Sequence, residues 1–129
     1  MGISHSLERL LDSVIIIDHL NNIPEATTFI LGLDPIKTAV SVISRAEILV
    51  GVDPGEAENV KLLLDQFTLL IIDKETADRA SELRRKYGWK LPDAFQAALA
   101  MQHRVVLSTR NTRDFDPDTH SFIEIPYNI

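Results

Sequence analysis

The chain has 129 residues, a hydrophobic fraction of 45%, a charged fraction of 25% and a formal net charge of −6. That length fits one compact domain over residues 1–129, able to bury a core without covalent staples, and the absence of cysteine excludes disulfides, thiolate nucleophiles and zinc–thiolate sites. No apolar run reaches the roughly 18 residues of a membrane span, and the opening Met1–Ser6 lacks the basic start and apolar core of a signal peptide, so a cytoplasmic protein is expected. The negative net charge argues against a general polyanion binder. Its distribution is uneven: residues 1–78 carry 13 acids against 5 bases, and residues 79–129 carry 6 acids against 8 bases.

In chain order, Arg9–Asp12 reads as a short first strand. Val14–Ile17 is β-branched and strand-like, but its continuation into Asp18-His19-Leu20 favours a helix starting after Asp12. Pro24 opens a second helix to about Leu31. Thr38–Val42 is the next strand, and Ser44-Arg45-Ala46-Glu47 has the form of a capping box opening a helix that ends near Gly51. After the Asp53-Pro54-Gly55 turn, Glu56–Gln66 reads as a helix and Phe67–Ile72 as a buried strand. A polar helix spans Lys74 to about Lys86 and stops at Gly88. Pro92 opens an alanine-rich helix through Ala100, Val105–Ser108 is a strand, and Ser121–Ile125 gives a short final one. Apolar runs alternating with helical patterns are the mark of βαβ units and an α/β fold.

Four acids fall at strand–helix junctions: Asp12, Glu47, Asp93 and Asp114. A parallel sheet gathers the C-terminal ends of its strands along one edge, where helix starts and loops form a crevice. Each acid also has a purely structural explanation. Asp12 can cap the following helix, Glu47 can reach back within the capping box, Asp93 can complement a helix dipole, and Asp114 can serve a turn. Taken together they define a hard oxygen site suited to Mg²⁺ or Mn²⁺. Repulsion among gathered carboxylates would be relieved by such a cation, which can also activate water and neutralise charge on a phosphoryl group. The cations Arg79, Arg84, Arg85, Lys86, Lys90, Arg104, Arg110 and Arg113 read either as a solvated helix face plus loop charges or as a basic rim beside that cleft, which would tolerate a nucleic-acid backbone.

Four segments resemble the PIN domain, and in particular the VapC-type toxins of toxin–antitoxin pairs. They are Leu10–Asp18, with an aspartate followed by Ser13 and an apolar helix; Ser41–Gly51, centred on Glu47; Leu91–Ala98, with Asp93; and Ser108–Phe115, the closing segment. The resemblance implies a three-layer α/β/α fold with a mostly parallel central sheet and Mg²⁺- or Mn²⁺-dependent endoribonuclease activity. It further implies a homodimer and a small VapB-like antitoxin partner. Asp12, Glu47, Asp93 and Asp114 carry over as the acidic, metal-holding cluster, and Ser13, Thr109, Arg110 and Asn111 as supporting or substrate-binding residues. Some relatives place the last acid where Asn111 stands, so either Asp114 takes that duty or the cluster has three carboxylates. Asp18 matches the opening segment as a metal-side or a structural acid.

His5, His19, His103 and His120 show no metal-ligand spacing, and no glycine-rich phosphate loop is present. Trp89 and Tyr87 could stack on a base, with packing the main reading for Trp89; the face around Ile15, Ile16 and Leu20 could be core, dimer surface or an antitoxin groove, and reads mainly as core. The alternatives to a toxin ribonuclease are a non-catalytic PIN interaction module and a PIN nuclease of RNA maturation or DNA cleavage without an antitoxin. A phosphoacceptor receiver domain would leave Glu47 and the closing segment without a role.

Overall fold

Successive residues of a strand point to opposite faces of the sheet, and the two cores of this protein divide along that rule. In the computed structural model, which describes residues 6–129, Leu10 packs on one face with Ala39 and Leu107, while Leu11 packs on the other with Val40. His5 and most of the Met1–Ser6 opening lie outside the described residues. The strands are β1 (Arg9–Leu11), β2 (Thr38–Ser41), β3 (Thr68–Leu70), β4 (Val106–Ser108) and β5 (Ile123–Glu124), all parallel, in the order β3-β2-β1-β4-β5. The helices are α1 (Ser13–Leu20), α2 (Pro24–Leu31), α3 (Val42–Gly51), α4 (Ala57–Leu64), α5 (Lys74–Tyr87) and α6 (Leu91–His103). Buried residues of α1 to α4 cover one face and those of α5 and α6 the other, giving the three-layer α/β/α architecture. No helix among the described residues is long and apolar enough to cross a membrane.

Local chemistry sets most boundaries. Asp12 adopts extended backbone and its carboxylate accepts from the Ser13 N–H, starting α1 where the β-branched run Val14–Ile17 allowed either conformation. Buried Ile15 and Ile16 then form part of the core beneath it. Ala94, Ala97, Ala98 and Ala100 are fully buried, so α6 lies close against its neighbours. Gly88 ends α5 at φ 73°, its N–H bonded to the Arg84 carbonyl at 2.7 Å. A Cβ at Gly88 would meet nothing within 4 Å, so Gly88→Ala isolates the left-handed backbone term. A loss of about 1 kcal/mol is expected in urea unfolding.

Two expectations are corrected. The helix bearing Glu47 begins at Val42, not at a Ser44 cap: Ser41 is the N-cap, and its hydroxyl accepts from the Ser44 N–H at 3.1 Å. Val42, β-branched and read as strand, is helical because the serine three residues before Ser44 satisfies the first turn. Glu47 therefore sits a turn further in than the capping-box position that was its structural alternative. The strand read as buried Phe67–Ile72 is shorter and lies at the sheet edge. Thr68 and Leu69 are exposed there, Ile71 beyond it is exposed, and Leu70 alone of the strand is buried.

Candidate acidic site at the sheet edge

Because all five strands are parallel, β1, β2 and β4 end on one edge of the sheet. The chain leaves central β1 toward β2 on one side and returns to β4 on the other, so the strand order reverses beside β1, where α/β folds form their crevice. Asp12 follows β1 there. Glu47 is carried by α3 after β2, Asp93 lies in the first turn of α6, and Asp114 lies in the loop after β4.

Asp12 is 7% exposed and its carboxylate is held on both oxygens. Oδ1 accepts from the Ser13 N–H at 2.8 Å and from Gln96 Nε2 at 3.4 Å; Oδ2 accepts from the Thr109 hydroxyl at 2.7 Å. Thr109 Oγ1 in turn accepts from the Asn111 N–H at 3.0 Å. Asn111 and Asp114 form a reciprocal pair: Asn111 Nδ2 donates to Asp114 Oδ2 at 3.1 Å, and the Asp114 N–H donates to Asn111 Oδ1 at 3.3 Å. Trp89, buried in an aromatic cluster with Tyr87, Phe115 and His120, donates from Nε1 to the Asp114 carbonyl at 2.8 Å.

Neighbouring carboxylates bear on Glu47 and Asp93. Glu47 is pushed up by burial and then by the charge of Asp12, with a hydrogen bond from Ser13 pulling it back. Asp93 is pushed up to about 6, first by burial, then by Asp12, Asp114 and Glu47, with Lys90 opposing. Among the described residues, no three His, Cys, Asp or Glu side chains close tightly enough to hold an ion as they stand. The acids around Asp93 therefore share a field without forming a closed cage. An all-oxygen set with this repulsion fits a hard divalent cation, whose charge would draw the carboxylates in.

Other expected residues take different places. Arg110 is committed to Asp18, with Nε to Oδ2 at 2.7 Å and Nη2 to Oδ1 at 2.9 Å, and Tyr127 Oη donates to Asp18 Oδ2 at 2.8 Å. Asp18 is thus a structural acid beside the site. Arg84, Arg85, Lys86, Lys90 and Arg113 are exposed, on the end of α5, the turn into α6 and the closing loop. A cleft of about 410 Å³ between α2 and the Pro126–Tyr127 segment holds none of the four acids. The sequence assigned no role to Gln96, which is buried and bonded to Ser41, Ser44 and Asp12. Its one sequence signal is an amide within the otherwise apolar run Ala94–Ala100.

The PIN domain family model matches residues 9–116, a span holding all four acids. The chain belongs to the PIN domain family. Comparison with curated protein sequences gives no match. Among solved structures, this PIN domain is similar to a chain of a toxin–antitoxin complex from Klebsiella pneumoniae, with 33% identity and a TM-score of 0.87 over 95% of this chain and 100% of that one. FitAcB from Neisseria gonorrhoeae contains a chain of the same fold, with 23% identity and a TM-score of 0.75 over 94% and 99%. So does VapBC2 from Rickettsia felis, bound to a promoter DNA fragment, with 20% identity and a TM-score of 0.73 over 92% and 98%.

Proposed function

We propose that this PIN domain is a Mg²⁺- or Mn²⁺-dependent endoribonuclease and the toxin of a cytoplasmic toxin–antitoxin pair. The observation that carries this reading is the gathering of Asp12, Glu47 and Asp114 around Asp93 on one sheet edge, where burial first and then the charges of the other three raise Asp93 to about 6. The likeness to the Klebsiella toxin–antitoxin chain supports the biological setting. In this reading a small antitoxin is the partner and a homodimer the working assembly.

Asp12, Glu47 and Asp93 would hold the cation, with Asp114 completing the set directly or through water. A bound divalent cation supplies a Lewis acid that makes water nucleophilic and offsets phosphoryl charge. Asp12 is oriented by Ser13, Thr109 and Gln96. Asn111 orients Asp114. Lys90, whose charge acts on Asp93, and Arg113, the residue before Asp114 in the chain, would hold an RNA phosphate backbone against the site.

The test is cleavage of a mixed set of structured RNAs with Mn²⁺ and with chelator, alongside calorimetric Mn²⁺ titration and a mass measurement against the 14.5 kDa chain. Cleavage only with metal, from a particle of twice the chain mass, is expected. The absence of both cleavage and metal binding would sink the enzyme and favour a non-catalytic module. Protons compete with metal for Asp93, so Mn²⁺ affinity should fall up to about tenfold per pH unit below about 6 and level off above it. A pH-independent affinity between about 5 and 7 would remove Asp93 from the ligand set.

A further inference from the structure

We infer that Gln96 is a positioning residue whose single side-chain amide ties together the elements carrying Asp12, Glu47 and Asp93. It would thereby set the spacing at which those carboxylates meet a cation, an inference that rests on the metal-dependent reading above. Gln96 is 1% exposed and lies one helical turn after Asp93 on α6. Its Oε1 accepts from the Ser41 hydroxyl at 2.7 Å, and its Nε2 donates to the Ser44 hydroxyl at 2.6 Å. Ser41 caps α3, and Ser44 lies one turn before Glu47 on that helix. The second N–H of the amide points at Asp12 Oδ1, 3.4 Å away.

A buried amide is unfavourable unless its donors and acceptor are satisfied. Here every partner belongs to an element of the acidic site, while the neighbours Ala94, Ala97, Ala98 and Leu99 are apolar and fully buried. A leucine or methionine would fill the same volume without needing partners. What the amide adds is directional: two short bonds fix it to α3, and that fixed group presents an N–H to the most buried of the four acids. Groups that orient metal-binding carboxylates in this way typically change affinity by about 10–100-fold when removed.

The deciding experiment compares wild type with Gln96→Met, which keeps length and bulk but has no donor or strong acceptor. Mn²⁺ affinity is measured by calorimetry, RNA cleavage by steady-state kinetics, and folding by urea unfolding. A folded variant with Mn²⁺ affinity about tenfold weaker, lower kcat and nearly unchanged KM for RNA is expected. Ser44→Ala, which keeps the amide but removes its shorter anchor, should weaken Mn²⁺ binding in the same direction by roughly threefold, and it decides the matter if Gln96→Met does not fold. Either folded variant binding Mn²⁺ like wild type overturns the inference and leaves the nuclease reading standing. Wild type that binds no Mn²⁺ overturns both.

Discussion

Asp93→Asn is expected to abolish metal-dependent RNA cleavage while making the metal-free protein more stable near pH 8 by about 1–2 kcal/mol. The two effects have one cause. Burial and the charges of Asp12, Asp114 and Glu47 oppose ionisation of Asp93 and raise it to about 6. In the unfolded chain this carboxyl ionises in the ordinary range near pH 4. The folded protein therefore binds the proton more tightly, and stability is lost as pH rises from about 4 through about 6. A shift of roughly two units corresponds to at most about 3 kcal/mol. Partial solvent exposure and the lost interaction of the acid with the α6 dipole reduce the net gain to the range given.

Asparagine keeps the shape and cannot ionise, so its advantage should be absent near pH 4, grow through pH 6 and be complete above it. Urea unfolding at three pH values reads this directly, and the cleavage assay is run on the same preparations. A folded variant no more stable near pH 8 than near pH 4, relative to wild type, would show that the four acids do not share a field. The expected pattern is that of a site in which stability is given up for function.

Asp18→Ala should cause the largest stability loss of the changes considered, about 2–3 kcal/mol. Asp18 has a side-chain exposure of 7% and meets the Arg110 guanidinium with two parallel bonds while accepting from Tyr127. Removing it leaves a partly buried guanidinium and a phenol without their acceptor. Arg110 retains some solvent, with a side-chain exposure of 31%, which keeps the loss below that of a fully buried pair. The damage reaches the site because Arg110 follows Thr109, the residue that fixes Asp12 Oδ2. Weaker Mn²⁺ binding is therefore expected alongside the lower stability.

The pH dependence of this pair runs opposite to that of Asp93. The hydrogen bond from Arg110, the largest influence, and that from Tyr127 hold the Asp18 carboxyl below the usual aspartate range against its burial. Its contribution is complete above about pH 4 and is lost as pH falls through the lower folded-state value. The gap between wild type and Asp18→Ala should thus stay level from about pH 5 to 8 and narrow only in stronger acid. A gap that widens on acidification would contradict the ion pair.

Much of the architecture was legible because it rests on local chemistry. Asp12 and Pro24 mark helix starts, and Gly88 marks a helix end. The start of α3 was misplaced because Ser41 and Ser44 are both competent caps by composition. Only the path of β2 decides which one lies at the end of the strand. The strand β3 has the apolar content of a central strand, and its place at the sheet edge follows from the order of pairing.

The site divides the same way. Asp12, Glu47, Asp93 and Asp114 stood out by residue type and by position at strand–helix junctions, and the segments around them carried the PIN resemblance. That Asp114 enters the field of Asp93, that Asn111 holds it, that Arg110 is spent on Asp18 and that Gln96 joins three elements were all decided by the tertiary structure. Caps and alternation act over a few residues, so the chain determines them by itself. The contacts of Asp12 with Gln96 and Thr109 join residues 84 and 97 positions apart, and only parallel strands ending on one edge bring them within hydrogen-bonding distance.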